Sequence, residues 1–249
     1  MPVALVTGAA RRIGRAIALH LGRSGWRVAV HCRHSSDEAR SVCDEIHRHG
    51  GNAAVFTADL ADAAQLAPMM ADVRDRLGPV TLLVNNASLF EFEKAEDTTV
   101  ESWDAHLNVN LRAPFFLSQS MAHHLPQGVQ GNIVNIIDQR VWRPTPYFTS
   151  YTISKAGLLT LTQTLAMAFA PRIRVNGIGP GPVLPSKRQS AEQFARQCRS
   201  LPLENGATLE EICAAIDFIL ATPSMTGQMI ALDGGQHLPW DPKTPPRFE

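Results

Sequence analysis

Residues 3–14, with the sequence VALVTGAARRIG, combine a short apolar run with a turn that contains Gly8 and Gly14. A helical pattern of apolar residues then continues to Gly25. Strand, glycine turn and helix in this order open a crossover unit, in which the pyrophosphate of a dinucleotide meets the helix N-terminus. Gly8 permits the tight turn, and Gly14 permits close packing of the helix on the sheet. A glycine turn alone is weak evidence for a nucleotide site, so the interpretation depends on the rest of the chain.

The alternation of strand and helix continues along the chain. Further strands are predicted at residues 28–30, 53–56, 81–84, 132–137, 174–176 and 229–232. Helices are predicted at residues 37–48, 63–77, 100–124, 150–170, 192–199 and 209–220. Such alternation is typical of a parallel sheet with helices on both faces. We therefore expect an α/β fold, a single Rossmann-type doubly wound parallel sheet of about seven strands.

Length and composition favour one domain. A chain of 249 residues can bury a sizeable core without disulfides or metals. We expect a dinucleotide-binding and catalytic domain at residues 1–235, followed by a proline-rich C-terminal arm at 236–249. The arm carries four prolines and no periodicity. Contact with a neighbouring subunit and plain disorder both remain open for it.

Charge and cysteine content argue against several classes of function. The 23 basic and 23 acidic residues balance, and no basic run indicates a nucleic-acid or anionic-membrane partner. The four cysteines are scattered without metal-ligand spacing, so we expect reduced packing residues and no metal site. The chain enters an apolar strand at once, and no segment reaches about 18 apolar residues. We therefore expect a cytoplasmic protein that acts on a small molecule.

A second motif lies between Asp138 and Lys155, where the sequence is DQRVWRPTPYFTSYTISK. A helix that begins near Ser150 places Tyr151 and Lys155 one turn apart on the same face. An ammonium about 4 Å from a phenol contributes roughly 4 kcal/mol at an effective dielectric of about 20. Lys155 is therefore expected to lower the pKa of Tyr151 toward values useful for acid–base catalysis. An ordinary surface Tyr and Lys on an amphipathic helix is the alternative.

These motifs together resemble the short-chain dehydrogenase/reductase family over residues 2–235. The resemblance is carried by the glycine turn, the strand order, the Asn-Asn-Ala at 85–87, and Asp138, Tyr151 and Lys155. In that family the turn is usually Thr-Gly-x-x-x-Gly-x-Gly, and the active site contains Asn, Ser, Tyr and Lys. The asparagine in the helix after the fourth strand corresponds here to Asn110.

Two positions depart from the family pattern and resemble one branch, the pteridine reductases. Arg12 replaces the middle glycine of the turn, and Asp138 replaces the serine. The stretch NNASLF at 85–90 is also similar to that branch, where the Phe stacks on the pterin ring. The sequence LDGGQHL at 232–238 is similar to the LDGGRHL of bacterial dihydromonapterin reductases.

The resemblance implies a nicotinamide cofactor that spans the carboxyl ends of the strands. The implied cofactor-binding residues are Gly8, Arg12, Ile13, Gly14, Arg33, His34, Ser35, Asp59, Leu60, Asn86, Ala87, Tyr151, Lys155, Pro180, Gly181 and Val183. Asp59 and Leu60 match the family position that holds the adenine. A helix cap is the alternative role for Asp59, although Asp62 is better placed as the cap. The segment 184–202 is expected to form a substrate lid.

Charge near the second strand favours NADPH over NADH. An NAD-preferring enzyme normally places an acidic residue at this strand end to bind the ribose hydroxyls. Residues 31–35 are instead HCRHS, so that Arg33, Ser35 and Arg12 can donate to a 2′-phosphate. The acidic pair at 37–38 is counter-evidence, but it is explained more simply by the dipole of the helix that it opens.

The branch implies hydride transfer to the C=N bond of a pterin, with Tyr151 as the proton donor. The implied catalytic residues are Asp138, Tyr151, Lys155 and Asn110. The implied substrate-binding residues are Arg12, Ser88, Phe90, Asp138 and Tyr151. As a carboxylate, Asp138 can accept hydrogen bonds from the amino and ring N–H groups of a pterin edge, which a serine cannot do as well. A role for Phe90 as a core or lid aromatic remains open.

Two rival functions remain. A reductase of another carbonyl, such as a 3-oxoacyl thioester, would use Asp138 in place of serine. An NADP-binding regulator that has lost catalysis is the second rival, and the intact pair of Tyr151 and Lys155 argues against it. The mostly apolar helix at 150–170 implies a second buried face, and the family suggests a homotetramer. We expect the remaining histidines of the region, His106, His123 and His124, to be ordinary surface or interface residues.

Overall fold

The computed structural model describes residues 1–238, and its centre is one parallel sheet of seven strands. In chain order the strands are β1 Val3–Val6, β2 Arg27–Cys32, β3 Asn52–Thr57, β4 Val80–Asn85, β5 Gly131–Ile136, β6 Ile173–Pro180 and β7 Met229–Leu232. Their spatial order is β3-β2-β1-β4-β5-β6-β7. The predicted doubly wound α/β fold is confirmed.

Eight α-helices connect the strands in the described part of the chain. They are α1 Arg12–Arg23, α2 Ser36–Arg48, α3 Ala63–Leu77, α4 Val100–Leu107, α5 Ala113–His124, α6 Thr149–Phe169, α7 Ala191–Arg199 and α8 Leu209–Ala221. The helix predicted at 100–124 is continuous but contains a π-helical turn, Asn108–Arg112, which separates α4 from α5. The helix α3 has the predicted bounds, and Asp62 caps it by accepting a hydrogen bond from the Ala64 amide at 3.0 Å.

Each face of the sheet is covered by helices. On one face, α1, α2 and α8 pack against the strands, with Ile17, Leu21, Val42, Ile46, Ile212 and Ile216 in the core. On the other, α3, α5 and α6 contribute Leu66, Val73, Leu117, Met121 and Leu165. Strands buried on both faces are apolar throughout, which explains the uninterrupted run VALV of β1.

The strand order reverses between β1 and β4, and this reversal positions the site. From β1 the chain winds outward through β2 and β3, then returns to β4 on the other side of β1. Ligands of such sheets bind in the crevice at the carboxyl ends of the strands, at this switch point. The glycine turn follows β1 at that edge, and residues 85–87 close β4 beside it.

The described chain ends in a turn that belongs to the domain. The amide of Gln236 donates to the carbonyl of Asp233, and the amide of Leu238 donates to that of Gly235. Residues 236–238 of the predicted C-terminal arm thus pack on the end of β7, and the rest of the arm, 239–249, lies outside the described residues. Of the helices within 1–238, none combines the length and apolarity needed to cross a membrane.

Candidate active site

The glycine turn is held tightly against the neighbouring strands. Gly8 has a φ of 63°, a left-handed conformation that favours glycine. A Cβ on Gly14 would overlap the carbonyl oxygen of Gly8 and the side-chain nitrogen of Asn86. The Asn86 amide nitrogen donates to the carbonyl of Thr7 at 2.8 Å, and the backbone amide of Ala87 donates to the Thr7 hydroxyl at 3.0 Å. The ends of β1 and β4 are therefore locked together.

Arg12 occupies the position where the family pattern has a glycine. The backbone conformation at this position explains why a glycine is usual there. Its φ is 55°, so the arginine adopts a left-handed conformation at the first residue of α1. Its guanidinium donates to the carbonyl oxygens of Pro185 at 2.8 Å and Leu184 at 3.1 Å. Arg12 thereby joins the turn to the predicted lid, 184–202.

His31, which was not predicted as a site residue, is buried beside the glycine turn and lines the adenosine-side pocket. It is 2 % exposed, its Nδ1 accepts from the Gly8 amide at 3.1 Å, and its Nε2 donates to the carbonyl of Ala58 at 3.1 Å. Burial lowers the pKa of His31 to about 4, against opposing effects of the Ala58 carbonyl and Asp59. The neutral ring ties the glycine turn to the end of β3. The signal available in the sequence was a polar residue inside the apolar run of β2.

The residues predicted to bind the adenosine end lie together at the ends of β2 and β3. Arg33 forms an ion pair with Asp59 at 2.8 Å, and Asp59 also accepts from the amide of Ala61 at 2.9 Å. A pocket between these elements is lined by Gly8, His31, Arg33, Asp59, Leu60, Ala87, Ser88, Leu89 and Val109. His34 is exposed, and Ser35 is the N-cap residue of α2, where its hydroxyl makes no capping bond within the described chain.

The acidic pair at the start of α2 is occupied by other partners. Asp37 pairs with Arg40 at 2.6 Å, and Glu38 pairs with Arg11. Both carboxylates lie in the first turn of α2, as the dipole interpretation requires, and Glu38 also joins α2 to the glycine turn.

Tyr151 meets Asp138 at the centre of the site. The phenol hydroxyl donates to Oδ2 of Asp138 at 2.7 Å, while Oδ1 accepts from the amide of Arg140 at 2.8 Å. One turn along α6, the ammonium of Lys155 donates to the carbonyl of Ile136, the last residue of β5, at 2.8 Å. Tyr151 is 5 % exposed and Lys155 is 2 % exposed. The predicted trio is thus brought together, with Tyr151 and Lys155 buried and Asp138 partly exposed to a cavity.

The pKa of the phenol is raised where a lowered value was expected, and the causes are burial and Asp138 and not Lys155. Burial raises the pKa of Tyr151 well above its usual value, and the charge and hydrogen bond of Asp138 raise it further, against a smaller effect of Arg140. The ammonium is directed at the Ile136 carbonyl and lies 5.8 Å from the centre of the phenol ring. Burial in turn lowers the pKa of Lys155 to about 8, although Asp138 opposes this change.

Phe90 provides an aromatic wall beside the phenol. Its ring stacks on Phe148 with centroids 4.6 Å apart and meets the Tyr151 ring edge-on, also at 4.6 Å. The Arg188 guanidinium lies 5.2 Å from the Phe90 centroid and donates to the Phe90 carbonyl at 3.1 Å. Ser88, by contrast, lines the adenosine-side pocket, and its hydroxyl donates to the neighbouring carbonyl of Leu89. The predicted substrate contact of Ser88 therefore has no support in the geometry.

A cavity opens outward from Asp138 and Phe90. It is lined by Arg12, Ile13, Phe90, Asp138, Gln139, Arg140, residues 180–184, Ser186, Gln189, Phe194, Gln197 and Gln236. The cavity thus joins predicted cofactor residues, namely Ile13, Pro180, Gly181 and Val183, to predicted substrate residues and to the predicted lid. Gly181 packs directly on the backbone of Asp233, where a side chain would not fit.

Asn110 lies in the π-helical turn, and its side chain contacts Leu89 and Ser154. Its side chain accepts from the amide of Leu89 at 2.8 Å and donates to the carbonyl of the same residue at 2.9 Å. It also donates to the hydroxyl of Ser154 at 3.0 Å. Single π-helical turns within α-helices are frequent at functional sites. These contacts join the segment after β4 to α6, and the catalytic role of Asn110 stays a prediction.

The expectation for His106 is wrong, because the residue is fully buried. Its Nδ1 lies 2.9 Å from the carbonyl of Ser102 and 2.8 Å from the hydroxyl of Ser150, and its Nε2 accepts from the amide of Glu91 at 3.2 Å. Glu93, which the sequence analysis did not identify, is 6 % exposed and accepts from the amide and hydroxyl of Ser150. Burial favours a raised pKa for Glu93, but hydrogen bonds from Ser150 and Ser102 lower it.

Comparison with known proteins identifies the family of the fold. Residues 2–195 match the short chain dehydrogenase family. The fold superposes on FolM alternative dihydrofolate reductase 1 from Brucella suis, in complex with NADP, with a TM-score of 0.93, 49 % identity, and coverage of 98 % of this chain and 97 % of that one. The FolM alternative dihydrofolate reductase 1 of Brucella canis, complexed with NADP, superposes with a TM-score of 0.94 and 48 % identity, covering 98 % of this chain and 96 % of that one. A 3-oxoacyl-[acyl-carrier-protein] reductase of Synechocystis sp. is 31 % identical over 94 % of this chain and 96 % of its own length.

Proposed function

The chain belongs to the short-chain dehydrogenase family, and we propose that within this family it is an NADPH-dependent reductase of a dihydropterin or dihydrofolate-like substrate. The observation that carries the proposal is the position of Asp138, which bonds to Tyr151 beside the ring of Phe90. A carboxylate there offers acceptors to the amino and ring N–H groups of a pterin, while the ring of Phe90 offers a stacking surface. A simple ketone has no such pair of donors.

The residues at the switch point fit a nicotinamide dinucleotide. The α1 helix has no acidic residue in its first turn and no side-chain cap within the described chain, so its N-terminal amides are available to a pyrophosphate. Gly14 leaves the close approach that a Cβ would block. At the other end of the pocket Arg33 can donate to a 2′-phosphate. The NADP complexes of the two Brucella proteins support the same choice.

Bound NADPH would supply the hydride to the carbon of the C=N bond. The electron pair of that bond then moves to the nitrogen, and Tyr151 donates its phenol proton there, so that a C–H and an N–H bond replace the C=N double bond. The phenolate regains its proton from solvent. Because the raised pKa keeps Tyr151 protonated, the donor is loaded before the reaction begins.

Asp138 couples substrate recognition to the acidity of the Tyr151 phenol. Its negative charge raises the pKa of the phenol in the structure described above. Pterin N–H groups that donate to this carboxylate would draw its charge away from Tyr151 and lower the phenol pKa when the correct substrate binds. Lys155, held by the carbonyl of Ile136, would add positive charge on the same side and hold the nicotinamide ribose.

The test is an assay of NADPH consumption with dihydrofolate, dihydrobiopterin, dihydromonapterin and a 3-oxoacyl thioester. We expect turnover of at least one dihydropterin. The variant Asp138→Ser should lose this activity by about 100-fold, because two charge-assisted hydrogen bonds of about 1.5 kcal/mol each disappear, while NADPH still binds. Asp75→Ser, at an exposed position on α3, is the matched control. Turnover of the thioester alone, or retained activity of Asp138→Ser with dihydropterins, would overturn the assignment.

Assembly and location extend the proposal. We propose a homotetramer in which the apolar face between the π-helical turn and α6, lined by Leu107, Leu111, Phe115, Gly157 and Leu161, is covered by another subunit. Light scattering of the purified protein tests the stoichiometry. The cytoplasmic location and the lid role of residues 184–202 rest on the sequence argument and the family.

A further inference from the structure

Four polar side chains that the proposed mechanism does not use form one network: Glu93, Ser102, His106 and Ser150. The network lies between the segment that follows β4, the helix α4 and the start of α6. Glu93, His106 and Ser150 are buried. Buried polar groups that are fully paired fix one arrangement of the elements they join, because any other arrangement leaves a group unpaired.

The contacts of His106 define the protonation of its ring. Nε2 accepts from the amide of Glu91, so it carries no proton. The proton therefore sits on Nδ1, where it is directed at the Ser102 carbonyl and the Ser150 hydroxyl. A neutral imidazole in this tautomer uses both nitrogens.

His106 and Asn110 clamp the backbone on either side of Phe90. They are four residues apart along the helix and thus one turn from each other. Asn110 holds both backbone groups of Leu89, and His106 holds the amide of Glu91. The Phe90 ring faces Tyr151. Its position is therefore fixed through the backbone of its two sequence neighbours, Leu89 and Glu91.

The same network caps the helix that carries Tyr151. The residue before α6, Phe148, has a φ of 60° and provides no side-chain cap. Glu93 supplies the missing acceptor from another segment by binding the amide and hydroxyl of Ser150. An acidic group at a helix N-terminus also interacts favourably with the helix dipole. Ser150 precedes Tyr151 directly, so this cap fixes the start of the catalytic helix.

We propose that His106 is a positioning residue that couples the substrate-facing ring of Phe90 to the first turn of the helix that carries Tyr151. Through Nε2 it holds the segment of Phe90, and through Nδ1 and Ser150 it reaches the cap formed by Glu93. The inference rests on the proposed function only in that Phe90 is taken to contact the substrate.

Two substitutions separate the two nitrogens of the ring. In His106→Gln the side-chain oxygen can replace Nε2 and still accept from Glu91. In His106→Asn the shorter amide can replace Nδ1 and donate to Ser102 and Ser150, but the Glu91 amide loses its acceptor. We expect His106→Asn to raise KM for the reducible substrate about tenfold, the equivalent of one lost hydrogen bond, with kcat within about twofold of the wild type. His106→Gln keeps the bond to the Glu91 amide but loses the contact with Ser150, so it should raise KM by a smaller factor than His106→Asn.

Equal KM values for the two variants, or an unchanged KM in His106→Asn, would show that His106 only fills space. Hydrogen exchange of residues 88–94 gives a readout that needs no turnover, and it should be faster in His106→Asn than in His106→Gln. If both variants fail to fold, Ser150→Ala tests the same link, since it removes the hydroxyl between His106 and Glu93. An unchanged KM in that variant would overturn the coupling.

The assay uses whichever substrate the wild type reduces. If only a 3-oxoacyl thioester is reduced, the proposed pterin activity fails while the role of His106 is still measured with that substrate. If a dihydropterin is reduced and the two His106 variants behave alike, the positioning role fails while the proposed function stands.

Discussion

Tyr151 donates its phenol hydrogen to Oδ2 of Asp138 across 2.7 Å, and the carboxylate adds to the effect of burial in raising the pKa of the phenol. The carboxylate and the low exposure of the phenol both favour the protonated form. Lys155 would favour the phenolate, but its ammonium binds the carbonyl of Ile136. The resting site therefore holds a protonated donor beside an anionic acceptor, and substrate binding has to change that balance.

The effect of Asp138 on the phenol can be measured directly, because the chain contains only two tyrosines, Tyr147 and Tyr151. In a Tyr147→Phe background, the ultraviolet absorbance of tyrosinate reports Tyr151 alone. Asp138→Asn keeps an acceptor for the hydroxyl and removes the negative charge. We expect the pKa of Tyr151 to fall relative to the Tyr147→Phe parent. An unchanged or higher pKa would show that Asp138 does not control the acidity of the phenol.

Lys155 is expected to lower the stability of the protein at neutral pH. Its pKa is about 8 in the folded protein and 10.5 in the unfolded chain, a difference equivalent to about 3 kcal/mol. Lys155→Met removes the buried charge but also the charge-assisted bond to the Ile136 carbonyl, which contributes about 1.5 kcal/mol. We expect unfolding in urea at pH of about 7 to show a net gain of about 1.5 kcal/mol, with loss of reductase activity.

The stability that Lys155→Met gains over the wild type should depend on pH. Below pH 8 the lysine is charged in both states, and the folded state bears the whole cost of the buried ammonium. Between pH 8 and 10.5 the folded protein loses the proton first, so the advantage of Lys155→Met shrinks and then disappears. Lys94→Met, at an exposed lysine, is the control and should change stability by less than about 0.5 kcal/mol. A pH-independent gain in Lys155→Met would contradict the assignment.

Local signals predicted most of the fold. The helix α3 was predicted with correct bounds because its cap, Asp62, and its apolar period are contained in one segment. The strand β6 is longer than predicted, Ile173–Pro180 instead of 174–176, because it pairs with β5 and β7 along its length. The π-helical turn at Asn108–Arg112 leaves no mark in the apolar period, so a single helix was predicted there.

The residues of the site also fall into two groups, those that local motifs predict and those that only long-range contacts define. Residues at strand ends and the pair of Tyr151 and Lys155 follow from motifs, and the structure places them at one edge of the sheet. His31 and Glu93 have partners 23 and 57 residues away, and no local pattern reports such distances. The direction of the Tyr151 pKa was missed for a related reason: the spacing of the lysine was visible in the sequence, whereas the burial of the phenol and its bond to Asp138 were not.

The buried ring of His31 should make the protein less stable in weak acid. Its pKa is about 4 in the folded protein and 6.5 in the unfolded chain, so between these two pH values the unfolded chain binds more protons. The contribution of His31 is fully present above pH 6.5 and is lost as the pH falls toward 4. At pH of about 5 the loss amounts to about 2 kcal/mol.

His31→Asn tests this dependence, because its side-chain oxygen can still accept from the Gly8 amide but does not titrate. Its stability in urea at pH of about 7.5 should be lower than that of the wild type by about 1 kcal/mol, since the bond to the Ala58 carbonyl is lost. Between pH of about 7.5 and about 5 it should lose about 2 kcal/mol less than the wild type. Parallel losses in the two proteins would mean that His31 does not carry the effect.

Arg33 is predicted to select NADPH over NADH. The side chain is half exposed and pairs with Asp59, so it is already directed at the adenosine-side pocket. Arg33→Ala should weaken NADPH binding about tenfold through loss of one charge-assisted contact, and should leave NADH binding within about twofold. Calorimetric titration of both cofactors gives the ratio. Arg40→Ala, an exposed arginine on α2, should leave it unchanged; equal weakening of both cofactors by Arg33→Ala would assign Arg33 to structure alone.

Arg12 combines an unfavourable backbone conformation with a useful side chain, and two substitutions separate these effects. Both Arg12→Gly and Arg12→Ala remove the bonds to the carbonyls of Leu184 and Pro185, so residues 184–190 should exchange amide hydrogens faster in both variants. Only glycine also relieves the φ of 55°, since alanine retains the clash of Cβ with the backbone. Arg12→Gly should therefore be more stable than Arg12→Ala by about 1 kcal/mol in urea unfolding. Were alanine as stable as glycine at this position, the arginine would not be in the left-handed conformation, and the tie between the glycine turn and the predicted lid would need another origin.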